Sequence, residues 1–192
     1  MPGGILFDGD WDRLRDSAIR VAERFPDEHL NFIEIGVHEG LTSRDLIAEI
    51  SKHTNNFTYI GIDPGSPPPL GSPYIHIQKI SHLAVNRVSE RIHWCLVDGC
   101  HCAACVIRDA ILYGNRMVSG GELLFHDASP RPQGRDRQDY GSMEGFHDSQ
   151  IARERGIDVR RVLDAGLLAG FRLILSAQTD NELGGVEIYE KI

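Results

Sequence analysis

Residues 34–40, Glu34-Ile35-Gly36-Val37-His38-Glu39-Gly40, decide the fold. They follow a β-rich run, FIEIG (32–36), and precede a helical pattern across 41–52 that turns Leu41, Leu46, Ile47 and Ile50 inward. A strand that passes through glycines into a helix opens a βα unit. Gly36 lets the backbone turn tightly, and Gly40 lets the helix start lie close to a ligand.

Outward from this turn the same alternation repeats. FTYIGID (57–63), YIHIQKI (74–80), IHWCLVD (92–98) and GELLFHD (121–127) read as strands. SHLAVNRV and residues 102–113 read as helices between them. Upstream, within a helical segment over 1–30, DWDRLRDSAIRVAERF places Trp11, Leu14, Ile19, Val21, Ala22 and Phe25 on one face until Pro26. The run PGSPPPLGSP (64–73) has five prolines and reads as loop. Helix resumes over 148–168, and FRLILSA (171–177) and GVEIYEK (185–191) close the chain as an antiparallel pair. Strands alternating with helices predict an α/β domain, one mainly parallel sheet covered on both sides, over the whole of residues 1–192.

Composition narrows the function. The chain has 192 residues, 41% of them hydrophobic, enough for one domain with a sizeable core. Lys plus Arg is 20 against 28 for Asp plus Glu, a net charge of −8, which argues against a nucleic-acid partner gripped through phosphates. No apolar run is long enough to span a membrane, and the acidic start MPGGILFDGDWDRLRD lacks a secretory pattern, so the expected location is cytoplasmic. Glycine, at 20 residues, is above the usual usage of roughly 7% and shows no repeat period.

Parallel sheets bind ligands beyond the carboxyl ends of their strands. Acids stand at those ends here: Glu34, Asp63, Asp98 and Asp127. Asp63, at the end of the strand after the glycine turn, is placed to accept both hydroxyls of a ribose. The spacing G-x-x-x-G departs from the dinucleotide pattern G-x-G-x-x-G, and Glu34 and Glu39 would oppose a pyrophosphate. Acids around the turn suit a cationic cofactor such as S-adenosylmethionine. A nicotinamide-dependent oxidoreductase and a non-catalytic nucleoside-binding protein stay open as alternatives.

EIGVHEGLTS resembles the first motif of class I S-adenosylmethionine-dependent methyltransferases, with His38 where a middle glycine often sits, and YIGID is similar to their second motif. VDGCHCAACVIRDA and GGELLFHDA are similar to a branch holding bacterial sugar and macrolide O-methyltransferases and cephalosporin-hydroxylase-like proteins. The resemblance spans about residues 31–127. It implies a Rossmann-like three-layer sandwich whose seven-stranded sheet has the order 3-2-1-4-5-7-6 and a reversed last strand. It also implies S-adenosylmethionine as cofactor and a small-molecule acceptor, methylated on a hydroxyl oxygen of a sugar or natural product. Residue by residue, Glu34, Gly36, Val37, His38 and Gly40 would form the cofactor turn, with Thr42 and Ser43 near its amino-acid moiety. Asp63 would hold the ribose, Lys79, Ile80 and Ser81 would lie by the adenine, and Asp98 would face the methionine end.

Asp98, His101, His126 and Asp127 close neighbouring central strands, so they can converge. A hydroxyl attacking a methyl sulfonium must shed its proton. His101 or His126 serves as general base, positioned by Asp98 and Asp127. Alternatively, a divalent cation such as Mg2+ held by Asp98 and Asp127 lowers the hydroxyl pKa. Members of the branch often hold such an ion here, but Cys100 replaces the second acid of their DGDH motif.

Four cysteines, Cys95, Cys100, Cys102 and Cys105, fall within eleven residues. They read as reduced thiols packed as small apolar groups, with a zinc site completed by His101 as the alternative. Residues 128–147, with Arg131, Arg135, Arg137, Tyr140 and Phe146, read as a lid or acceptor wall, or as a solvated loop. Little length is left for a separate substrate domain, and a homo-oligomer would supply the missing walls.

Overall fold

A computed structural model describes residues 9–66, 69–88, 90–128, 159–176 and 185–192. In chain order the elements are α1 (Asp10–Arg24), β1 (Leu30–Ile35), α2 (Leu41–Ile50), β2 (Phe57–Ile62), β3 (Tyr74–Ile77) and α3 (Ser81–Ala84). A 3-10 turn at Val85–Arg87 leads to β4 (Ile92–Val97), α4 (Ala103–Gly114), β5 (Met117–Phe125), α5 (Val159–Asp164), β6 (Phe171–Leu175) and β7 (Glu187–Lys191). The seven strands form one sheet in the order β3-β2-β1-β4-β5-β7-β6. Neighbours from β3 to β5 pair parallel, whereas β7 runs antiparallel to both β5 and β6. The expected sheet, its order and its reversed last strand are all present.

Burial of both faces explains the apolar strands. On one side Phe32, Trp94, Leu96, Leu124 and Ile188 pack with Leu14, Ala18 and Val21 of α1 and Leu46 and Ile50 of α2. On the other, Ile33, Cys95 and Leu123 pack with Val106, Ala110 and Tyr113 of α4 and Val159 and Val162 of α5. Every residue of β4 is buried, and Trp94 is fully so. Cutting Trp94 to alanine would cost about 3–5 kcal/mol.

One polar clamp joins α1 to the sheet. Glu122, fully buried on β5, accepts hydrogen bonds from Ser17 Oγ at 2.6 Å and Arg20 Nη2 at 2.8 Å. Trp94 Nε1 donates to the same serine oxygen at 2.9 Å. A buried carboxylate needs such partners, because an unpaired one would cost several kcal/mol.

Two of the boundaries that differ from the sequence reading have a clear cause. β3 stops at Ile77 because the backbone folds back, Lys79 N donating to Ile77 O at 2.8 Å. β5 begins at Met117, four residues earlier than expected, and its pairing with β4 shifts register between Ile92 and Trp94. The helix expected over 148–168 is described only as α5. The 128–147 segment, Ala128 apart, and its arginines lie outside the described residues. Among the described residues no helix is long and apolar enough to cross a membrane.

Candidate active site

The glycine turn sits where β1 and β4 almost touch. A Cβ on Gly36 would lie 2.1 Å from the carbonyl oxygen of Asp98 and 2.6 Å from the Cα of Gly99, so only glycine fits. Gly36 also takes φ +89°, a left-handed conformation that L side chains disfavour. His38 is left-handed too, at φ +49°, and Gly40, at φ +73°, starts α2. The turn is therefore a tight arch directly over the end of β4.

Asp63 fixes this arch. Its Oδ2 accepts from the backbone N–H of Val37 at 2.9 Å and of His38 at 3.0 Å, and its Oδ1 accepts from Gly65 N at 2.7 Å. A carboxylate has about four acceptor positions, and three are taken. One remains open, at Oδ1.

Beneath the arch lies Glu34, only 1% exposed. It accepts from Ser43 Oγ at 2.5 Å and Tyr59 OH at 2.7 Å. Burial pushes its carboxyl up to about 7 against those two hydrogen bonds, and repulsion from Asp98 and Asp63 adds to the shift. Ser43 is fully buried as well. Both residues thus support the turn from below.

Across from the turn, five titratable side chains converge. His126 Nδ1 lies 3.0 Å from Asp98 Oδ1 and 3.7 Å from Asp127 Oδ1. Its other nitrogen, Nε2, lies 3.4 Å from Oδ2 of Asp10 at the start of α1, a charge contact that is not aligned as a hydrogen bond. His101 Nε2 lies 3.4 Å from Asp98 Oδ1 and 3.2 Å from Asp127 Oδ2. Asp127 reaches both imidazoles from a left-handed backbone, φ +55°, a conformation aspartate tolerates better than most residues.

Electrostatics assigns the protons. Burial disfavours charge on His126, but the carboxylates of Asp98, Asp10 and Asp127 outweigh it and hold the imidazole well above its ordinary value. Burial would likewise raise Asp98, yet His126 and His101 hold it well below the usual carboxylate range. The protonated form of His126 is therefore favoured in this arrangement, whereas a general base acts from the neutral form. Asp98, His101 and Asp127 place one ligand atom each within 4.8 Å of one another, an arrangement able to hold a divalent cation.

No protein-family model matches the sequence, and no curated protein does. Solved structures do match. A Nostoc punctiforme protein provisionally classed as an O-methyltransferase aligns with a TM-score of 0.57 at 18% identity, over 93% of this chain and 56% of that one. The MycE methyltransferase of the mycinamycin biosynthetic pathway, in complex with Mg and SAH, gives 0.56 at 15%, over 96% and 55%. The Burkholderia thailandensis 1,6-didemethyltoxoflavin-N1-methyltransferase, with S-adenosylhomocysteine bound, gives 0.57 at 13%, over 92% and 77%. This chain has the S-adenosylmethionine-dependent methyltransferase fold. It spans little more than half the length of the first two structures.

Within the methyltransferase fold the remaining expected residues divide. Thr42 is half-buried in the first turn of α2, and Lys79 and Ile80 are half-buried past the end of β3. Ser81 hydrogen bonds Asp109 on α4, and its carbonyl accepts from Tyr113 OH at 2.7 Å, so it links α3 to α4. The site residue that sequence reading missed is Asp10. It stands with Leu14, Ser17, Ala18 and Val21 on the buried face of α1. A lone acid within an apolar stripe was the available signal.

Proposed function

We propose that the chain binds S-adenosylmethionine at the Gly36–Gly40 arch and transfers its methyl group to a hydroxyl oxygen of a sugar or natural-product acceptor. The observation that supports this most directly is the contact between the arch and β4. Gly36 rests on the Asp98 backbone, so a cofactor on the arch would end beside the cluster of Asp98, His101, His126 and Asp127. The acids also match the charge of the ligand. A sulfonium and an ammonium group are favoured near Asp63, Asp98 and Asp127, whereas a dinucleotide pyrophosphate is not.

Transfer forms an O–C bond, breaks the S–C bond and neutralises the sulfonium, and the acceptor must lose a proton. His101 is the imidazole available to take it, with Asp98 and Asp127 to stabilise the resulting charge. His126, held toward its protonated form, orients Asp98. Alternatively, Asp98, Asp127 and His101 would hold a divalent cation, which when bound lowers the pKa of a coordinated hydroxyl. The two carboxylates fit Mg2+, while the imidazole suits a borderline ion such as Mn2+ better.

Calorimetry with S-adenosylhomocysteine and with NADH tests the reading. Binding of the former alone is expected, and no binding of S-adenosylhomocysteine overturns it. Methyl transfer from labelled cofactor to a panel of hydroxylated acceptors, with and without chelator, then separates the two proton routes. Activity that survives chelation assigns the proton to His101.

A further inference from the structure

The cysteine cluster is not absorbed by the methyl-transfer site. Cys100, Cys102 and Cys105 place their sulfurs within 4.8 Å of one another, and none of the three is in a disulfide. Each is half-buried, so an ion can reach them from solvent. Cys102 is the N-cap of the twelve-residue α4, and Cys105 lies in its first turn. Hydrogen bonding among the cysteines and burial hold the Cys105 thiol up, at about 12, so these groups are thiols until a cation displaces their protons. The partial positive charge of a helix N-terminus stabilises anionic sulfur.

A second observation points to the same spot. Asp109, one turn beyond Cys105 on the same helix, is 1% exposed, and its Oδ1 has no hydrogen-bond partner among the described residues. Its carboxyl interacts electrostatically with both Cys102 and Cys105. A buried oxygen left without a donor is costly unless something else satisfies it.

We infer that Cys100, Cys102 and Cys105 form a binding site for a thiophilic divalent cation, Zn2+, with the buried carboxyl of Asp109 close behind it. Zinc–sulfur bonds of about 2.3 Å place tetrahedral thiolates about 3.8 Å apart, so the present separation needs to contract by no more than about 1 Å. Binding replaces three S–H protons with three Zn–S bonds and releases those protons to solvent. His101, which the sequence offered as a fourth ligand, instead faces Asp98 and Asp127. The thiol site is thus separate from the carboxylate trio, although both sit on the Asp98–Cys102 segment. Zinc there would brace the segment that presents Asp98 and His101. This inference is independent of methyl transfer.

The test uses the full chain, reduced and loaded with zinc, followed by gel filtration and elemental analysis. About one zinc per chain is expected in the wild type and in Asp98→Asn. Affinity is expected to fall at least tenfold in Cys102→Ser and Cys105→Ser, and cobalt substitution should give a thiolate charge-transfer band that those variants lose. Zinc retained with undiminished affinity by the triple Cys100→Ser/Cys102→Ser/Cys105→Ser chain that also carries Asp98→Asn, or lost from Asp98→Asn alone, overturns the assignment. Should the serine variants fail to fold, alkylation of the wild type decides: zinc must protect these three thiols, and equal labelling with and without zinc overturns it.

Discussion

Asp10, the first residue of α1, places its Oδ2 3.4 Å from Nε2 of His126 at the end of β5. With Asp98 on the opposite nitrogen, the imidazolium is held between two carboxylates. Asp10 also accepts from Gly185 N at 3.0 Å, so it ties the N-terminal helix to the approach to β7. Asp10→Ala is expected to destabilise the protein by about 3 kcal/mol, since it leaves a buried charge short of one partner. Urea unfolding measures this, and a midpoint equal to that of the wild type would show that the contact contributes nothing.

Gly36→Ala should be among the most damaging single-methyl additions. The new Cβ would overlap the Asp98 carbonyl at 2.1 Å in a conformation, φ +89°, that alanine disfavours. A loss of at least about 3 kcal/mol is expected from the backbone shift and left-handed strain together. Gly71→Ala is the control: it shares the positive φ of +74° but has nothing within 4 Å of its Cβ, so it should lose only about 1–2 kcal/mol. Equal melting temperatures for the two variants would refute the close-approach argument.

Asp63→Ala removes the acceptor for three backbone donors of the arch and its flank. The N–H groups of Val37 and His38 would then point at water, and the arch would lose its preorganisation for a ligand. Affinity for S-adenosylhomocysteine is expected to fall at least tenfold by calorimetry. The melting temperature should also drop, because hydrogen bonds to a charged group contribute about 1.5–3 kcal/mol each when well formed. A weakened ligand with unchanged stability would assign Asp63 to the ribose alone.

Much of the fold was legible because each element has a local signature. FIEIG and FTYIGID are short apolar runs ending at a glycine or an acid, and the helices between them repeat with helical period, so the parallel sheet followed. The glycine arch was legible as well, since Gly36 and Gly40 stand at a strand–helix junction. What escaped depends on contacts between distant residues. Asp10 meets His126 across most of the chain, and no local pattern records that pairing. The turning of Ser81 toward Asp109 depends on how α3 packs on α4. The inward place of Glu34 and Ser43 was half visible, because both fall on buried faces of their elements. The early start of β5 was hidden by Gly120, whose φ of +81° and register shift mask an extended run.

Glu34 makes stability depend on pH. An unfolded glutamate ionises near 4.5, whereas the buried Glu34 does so near 7. Between those values the folded chain keeps a proton that the unfolded chain has released, so stability falls as pH rises across this window and levels off above it. At about 1.4 kcal/mol per pKa unit the drop amounts to about 3 kcal/mol. Glu34→Gln keeps an oxygen to accept from Ser43 and Tyr59 but has no charge to desolvate. Asp109, which burial also pushes up to about 7, and His126, held well above its ordinary value, leave the variant a residual slope of the same sign. Urea midpoints at pH 5 and pH 8 should therefore separate for both proteins, and by a clearly smaller margin for Glu34→Gln than for the wild type. Parallel losses in the two proteins would mean that Glu34 ionises as an ordinary surface carboxylate does, and that the arch rests on a charge.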